Sequence, residues 1–314
     1  MEWRMLDQLA PNVLAAQAEV RDAGFVQGDA MTQPIAEARA QTRRFQTFLS
    51  GEPVPLAGVE EVVIADGLRL RIYRPDAPGP LPALLHIHGG GFAFGDIDSL
   101  DRWKREIARD AAMIVVGLEY ALAPENPYPA AVNQVLAALR WMRDEGAAHG
   151  MDGGRLAVSG DSAGGNLALN ALIRLRDAGE AGPSFGAIIY GMLSAEHDAA
   201  SHAALGTGRF GLSTARLDWF WTQYLGTTPR DDTGAAPLRA DLRGLPPLLL
   251  LAAALDPLLD DTLKLDARLD EAGVPREMQI FEGVPHGFIA WTRLLPQAQA
   301  ARAALVEALR RHLG

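Results

Sequence analysis

The chain of 314 residues contains no cysteine. That absence excludes disulfides, thiolate metal sites and a cysteine nucleophile together. It leaves the redox compartment open, because a secreted protein need not contain cysteine. No apolar run approaches the roughly 20 residues needed to span a bilayer. The stretch from Met1 to Val20 mixes Glu2, Arg4, Asp7 and Glu19 among its apolar residues and lacks the continuous apolar core of a signal peptide. A soluble, cytoplasmic protein without stable membrane insertion is therefore expected. Positive charge is in deficit, with a net charge of −10, which argues against nucleic acid or an anionic membrane as a partner. The short basic clusters Arg102/Lys104/Arg105 and Arg310/Arg311 are expected on solvated helix faces. Internal repeats and low-complexity tracts are missing too.

What is present suits a large core: 48% of residues are hydrophobic and 22% charged. Residues 1–50 are helical in character, broken at Gly24, Gly28 and Pro34, and carry Trp3, Phe25, Phe45 and Phe48 on faces that need a partner. The Pro/Gly-rich stretch Gly51 to Gly58 reads as a linker. Val59 to Ala65 and Leu68 to Tyr73 flank Asp66-Gly67, which predicts a two-residue hairpin turn. In the second run Leu68, Leu70 and Ile72 alternate with polar residues, as in a half-exposed edge strand. Further on, strands are predicted at Pro82 to His88, Met113 to Glu119, Leu156 to Val158, Phe185 to Tyr190, Pro246 to Ala253 and Glu277 to Phe281. Helices are predicted at Asp98 to Ala111, Pro129 to Glu145, Asn166 to Leu175, Asp260 to Ala272 and Gln297 to Leu313. Strand alternating with helix implies an α/β fold with a mainly parallel sheet covered on both faces. Residues 194–244 interrupt the rhythm and carry Phe210, Trp219, Phe220, Trp221 and Tyr224, an insertion long enough to suggest a functional role. The division expected is a helical segment over 1–50 and a catalytic domain over 51–314 with that insertion in it.

The stretch Gly160-Asp-Ser162-Ala-Gly164 lies between an apolar strand and a helix. A chain that turns from strand to helix so abruptly strains the turn residue and leaves its neighbours at ±2 no room for side chains. Gly160 and Gly164 meet that need. Ser162 would then project at a helix N-terminus, where free N–H groups hold an anion.

A serine hydroxyl needs a base in reach, and the base needs an orienting acid. Of the seven histidines, His149, His197, His202 and His312 are most simply surface residues. His86 and His88 share one face of a strand, but no third ligand follows in a metal-binding pattern, and no metal or other cofactor is expected. His286 lies on a loop beyond a strand's C-terminal end, where sites form in open α/β folds. Asp256, also at such an end, is the preferred acid over Asp161, whose side chain should point the opposite way, and over Asp260 and Asp261, whose plain role is helix capping. The order Ser162, Asp256, His286 is that of α/β-hydrolases. His88-Gly89-Gly90-Gly91-Phe92 offers backbone donors for an oxyanion, completed by Ala163 N–H. A phosphate loop fails, because Asn166 stands where that motif requires lysine.

These motifs, with Tyr120-Ala-Leu-Ala-Pro-Glu125, Asp256-Pro-Leu and His286-Gly-Phe, resemble the hormone-sensitive-lipase-like α/β-hydrolases, the bacterial family IV carboxylesterases, over roughly residues 55–314. The resemblance implies an eight-stranded sheet, a helical cap over the site, and hydrolysis of short- to medium-chain esters without cofactor. It matches Ser162 to the nucleophile, Asp256 to the acid, His286 to the base, and Gly90, Gly91 and Ala163 to the oxyanion donors. Ala121 departs from it, standing where the family more often has arginine and could pair with Glu125. Phe45, Phe48, Phe210 and Trp219 are expected to wall the substrate pocket, with simple packing of the cap as the alternative. The expected partner is a small-molecule ester; a homodimer is left open. A non-catalytic binder on the same scaffold would be expected to lack the base. An amidase, a lactonase and an acyltransferase share the first chemical step with an esterase.

Overall fold

The structure, a computed structural model, describes residues 8–314. Trp3 lies outside them. The chain enters with helices α1 (Pro11–Asp22) and α2 (Ile35–Ser50). There follow β1 (Gly58–Val63), β2 (Arg69–Arg74), β3 (Leu81–Ile87), α3 (Asp101–Ala111), β4 (Ile114–Glu119), α4 (Ala130–Asp144), β5 (Met151–Asp161), α5 (Ala163–Asp177) and β6 (Phe185–Ile189). The insertion after β6 carries α6 (Ala200–Leu205) and α7 (Thr214–Leu225). Then β7 (Leu248–Leu255), α8 (Leu259–Glu271), β8 (Arg276–Pro285) and α9 (Pro296–Leu313) complete the fold. Among the described residues the strands form one eight-stranded sheet in the order β1-β2-β4-β3-β5-β6-β7-β8. The pairings β1/β2 and β2/β4 are antiparallel and the rest are parallel.

Alternation along the central strands divides the core in two. Leu85, Val158, Ile188 and Leu250 face the layer of α4, α5 and α8. Their neighbours Leu84, Ala157, Ala187, Leu249 and Leu251 face α3, α9 and α1. Successive strand residues point to opposite faces, so a strand covered on both sides must be apolar throughout. That is why β7, whose sequence Leu-Leu-Leu-Leu-Ala-Ala-Ala-Leu is apolar throughout, is buried at every position.

Several strand expectations change in detail, among them β5, which runs Met151–Asp161 where only Leu156 to Val158 is expected. The first hairpin turns through Ala65–Gly67, one residue more than a two-residue turn, with Asp66 in the left-handed region at φ 58°. The strand β2 is flanked by β1 and β4, so Leu70, Ile72 and Tyr73 are buried and the sheet edge is β1 instead. The last strand runs four residues beyond Phe281, because a bulge between Ala253 and Leu255 lets Leu255 pair with Pro285. The basic cluster on α3 is not a solvated face. Lys104 is buried, its Nζ donating to Ile97 O at 3.0 Å, and desolvation pushes its pKa down to about 8 against the pull of Asp101.

The N-terminal helices are fastened to the body by a few polar ties. Arg39 on α2 makes a paired contact with Glu125 (both 2.8 Å) and donates to the carbonyls of Ala93 and Ala123 at 2.8 Å. Glu125 thus finds its cation on the arm rather than at position 121. Ala10 N–H donates to Gly283 O at 2.9 Å, and the side chains of Asn12 and Gln297 join at 2.6 Å.

At the end of β3, His88 is buried and stacked on Tyr120 with ring centroids 4.3 Å apart. Its Nδ1–H donates to Gly89 O at 2.8 Å, while Nε2 is buried without a partner among the described residues. Desolvation lowers its pKa to about 4 from the ordinary 6.5, against the opposing pull of the Gly89 carbonyl.

Two outcomes are expected. Arg39→Ala leaves two carbonyls and a carboxylate without their donor and should cost on the order of 1–3 kcal/mol in urea unfolding; unchanged stability would show the arm to be held by apolar contacts alone. His88 stays neutral in the folded chain and charges in the unfolded chain, so its stabilisation is full above about pH 6.5 and is lost as pH falls towards about 4. Against His88→Gln, the native protein should lose up to about 1.4 kcal/mol more per pH unit across that window. Parallel stability curves for the two proteins would refute this assignment.

Candidate active site

The turn from β5 into α5 has no spare residue: Asp161 ends the strand and Ala163 begins the helix. Ser162 between them holds φ 56° and ψ −118°, a strained conformation for a residue with a side chain. A Cβ on Gly160 would stand 2.1 Å from Gly164 O, and one on Gly164 would stand 2.0 Å from Ile87 O. Both positions therefore admit glycine only, as the spacing required. The turn is pinned on both sides: Ser162 N–H donates to Ile189 O at 2.9 Å, and its carbonyl accepts Met192 N–H at 3.0 Å.

The structure brings Ser162, Asp256 and His286 together from the carboxyl ends of β5, β7 and β8. His286 Nδ1–H donates to Asp256 Oδ2 at 2.7 Å, and Ser162 O–H donates to His286 Nε2 at 2.9 Å. Asp256 is fully buried, and its other oxygen accepts Leu258 N–H at 2.9 Å. Both carboxylate oxygens are thus engaged, which fixes the plane in which the imidazole can donate.

Facing the hydroxyl is the loop after β3. Gly90 has φ 119° and Gly91 φ 59°. A Cβ on Gly90 would meet Phe94 O at 2.3 Å, and one on Gly91 would meet the Phe220 ring at 2.2 Å. The N–H groups of Gly90, Gly91 and Ala163 donate to no acceptor among the described residues. Such donors suit a developing negative charge, the more so where the N-terminus of α5 adds its positive end.

Asp161, set aside as the acid, has a different position of interest. Its Oδ1 accepts Gly89 N–H at 2.8 Å and so ties the glycine loop to the strand that carries Ser162. Desolvation raises its pKa to about 6, against the Gly89 N–H and the charge of His286. Tyr190, at the end of β6, was not singled out; its buried ring lies 4.7 Å from that of His286. A search of strand ends for aromatic as well as titratable residues would have found it.

The remaining candidates divide. A cavity of about 270 Å³ opens onto Ser162 and His286, and Phe45 and Phe210 line it. Phe48 and Trp219 do not. Phe48 stacks on Phe25 at 4.4 Å, and Trp219 packs edge-on to Phe220, which itself lines the cavity. Trp221 and Tyr224 turn into the body, Tyr224 stacking on Phe92 at 3.7 Å. Asp260 and Asp261 do not cap α8. Asp261 accepts the N–H groups of Leu193 and Ser194, and Asp260 that of Ser201, so both hold the root of the insertion. His202 is buried rather than on the surface, bonded to Thr214 at 3.0 Å. Asn166 donates to the carbonyls of Met192 and Ala235, again at the insertion's root. His86 Nδ1 meets Ser159 Oγ at 2.8 Å.

Known proteins share this arrangement of the chain. A family model described as an alpha/beta hydrolase fold matches residues 84–290. An ethyl acetate hydrolase from Pseudomonas putida is 33% identical over 317 residues, covering 96% of this chain and 98% of its own. Carboxylesterase NlhH from Mycobacterium tuberculosis is 35% identical over 289 residues, 89% of this chain and 90% of that one. Among solved structures, an alpha/beta hydrolase enzyme from the metagenome of Lake Arreo, Spain, superposes with a TM-score of 0.89 at 35% identity, over 97% of this chain and 98% of that one. With a match over more than half the chain and identities that hold along most of its length, the chain belongs to the hormone-sensitive-lipase-like α/β-hydrolases, the bacterial family IV carboxylesterases.

Proposed function

We propose that the chain is a serine esterase that hydrolyses short- to medium-chain carboxylic esters through an acyl-enzyme, with Ser162, His286 and Asp256 as its triad. The observation that carries this reading is the unbroken hydrogen-bonded line from Asp256 through His286 to Ser162. Neutral His286 takes the hydroxyl proton at Nε2 as Ser162 Oγ bonds to the ester carbonyl carbon. The oxyanion so formed lies against the N–H groups of Gly90, Gly91 and Ala163, which have no competing acceptor among the described residues. Collapse breaks the bond to the alcohol, and His286 gives that oxygen its proton. Water then repeats the sequence, its proton passing to Nε2 and on to Ser162 Oγ as the acid departs. Asp256 holds the imidazole in the tautomer that leaves Nε2 free and offsets the charge of the cation.

The arm over 1–50 and the insertion over 194–244 act together as the cap. Phe45 comes from one and Phe210 from the other, and both face the cavity beside Ser162. A space of about 270 Å³ favours small esters over long acyl chains. The relative named an ethyl acetate hydrolase agrees with that choice.

Ser162→Ala should lower the turnover of p-nitrophenyl butyrate by about four orders of magnitude or more; half the parent rate would show that another group performs the attack. Phe210→Ala should shift the preferred acyl length upwards in a panel of p-nitrophenyl esters, since it removes a wall of the cavity. An unchanged chain-length profile would assign Phe210 to packing against Leu205 and Leu259 alone.

A further inference from the structure

Among the described residues the catalytic cavity is lined by one arginine, Arg216, whose ion pair with Asp29 is long. Arg216 lies in the first turn of α7, where a positive charge opposes the helix dipole and where no acidic residue offsets it. One nitrogen, Nη2, donates to Gly28 O, which would suffice to tie the insertion to the arm. Its nearest carboxylate, Asp29, stands 3.9 Å away. Nε and Nη1 donate to no acceptor among the described residues, yet the side chain is only 16% exposed and lines the cavity that holds Ser162. Burial pushes its pKa down, with Asp29 opposing, but a guanidinium keeps its charge. The same cavity is also lined by the half-buried Gln17 and Gln46, whose side chains have no hydrogen-bond partner among the described residues, and at its mouth by the exposed Gln27. The tie to Gly28 and the Phe220 ring beneath the guanidinium leave Nε and Nη1 unused, and alkyl chains alone would give those donors no partner.

We propose that Arg216 recognises a second, anionic group on the ester, so that the preferred substrates carry a carboxylate on their acyl or alcohol side. This rests on the esterase reading given above. A carboxylate bound at Nε and Nη1 would complete the guanidinium's fork through charge-assisted hydrogen bonds.

The test compares kcat/KM within two shape-matched pairs, followed by acid release at constant pH. On the acyl side, monoethyl glutarate is set against ethyl 5-methylhexanoate. On the alcohol side, 4-acetoxybutanoate is set against 4-methylpentyl acetate. The quantity read is the charged-to-neutral ratio, so a general loss of activity in a variant cancels. In at least one pair Arg216→Gln should lower that ratio by about tenfold or more, chiefly through KM, and Arg216→Lys should restore part of it. A smaller fall in both pairs overturns the inference while leaving the esterase reading intact. If neither variant folds, the native enzyme decides: raising the salt should lower the ratio at least about twofold, and a smaller change overturns the inference. Turnover of neither member of either pair overturns the esterase reading and this inference with it.

Discussion

The chain's reversal between β5 and α5 is the constraint on which the site depends. It holds Ser162 at a backbone angle that a side chain adopts only under compulsion. The compulsion comes from four neighbours. Ile189 on β6 takes its N–H, Met192 donates to its carbonyl, and Gly160 and Gly164 allow strand and helix backbones to touch. These contacts come from the parallel sheet, from the helix packed on it and, through Met192, from the segment just beyond β6. The strain is therefore carried by the α/β core around the turn, which holds the hydroxyl within hydrogen-bond reach of His286.

A second feature is how the interior treats its ionisable groups. Around the glycine loop lie His88, His86 and Asp161, all buried, and burial drives each towards its neutral form. In a low-dielectric setting the hydrogen bonds these groups make are strong. His88 binds the carbonyl of Gly89, and Asp161 binds its N–H. One residue beside the candidate oxyanion donors is thereby held on both its N–H and its carbonyl. The three glycines lack the side chains that would otherwise fix the loop, and these two polar groups take their place.

The cavity is closed by segments far apart in the chain. Arg39 on α2 reaches the carbonyls of Ala93, beyond the glycine loop, and Ala123, while Arg216 on α7 reaches the arm at Gly28. Aromatics divide by depth: Trp221 and Tyr224 anchor α7 in the body, whereas Phe220 covers Gly91. One helix thus serves packing on one side and cavity wall on the other, since its residues three and four apart share a face.

Read by itself, the amino-acid order determined the alternating α/β plan, the buried run of β7 and the glycines around Ser162. These follow from local rules: strand and helix periodicity, and the steric freedom of glycine where backbones touch. It also put Ser162, Asp256 and His286 at strand ends, because the carboxyl edge of a parallel sheet is a consequence of topology. Only the tertiary structure decided what each side chain meets across the sequence. Asp161 turned out to hold Gly89, Asp260 and Asp261 to hold the insertion instead of capping α8, and Lys104 to be buried beneath α3. Of the four aromatics expected at the cavity, Phe45 and Phe210 reach it while Phe48 and Trp219 pack elsewhere. The physical reason is that composition and spacing specify which face of an element is apolar or polar, whereas the partner of that face depends on how distant elements dock, and that is settled by packing and hydrogen-bond satisfaction over the whole molecule.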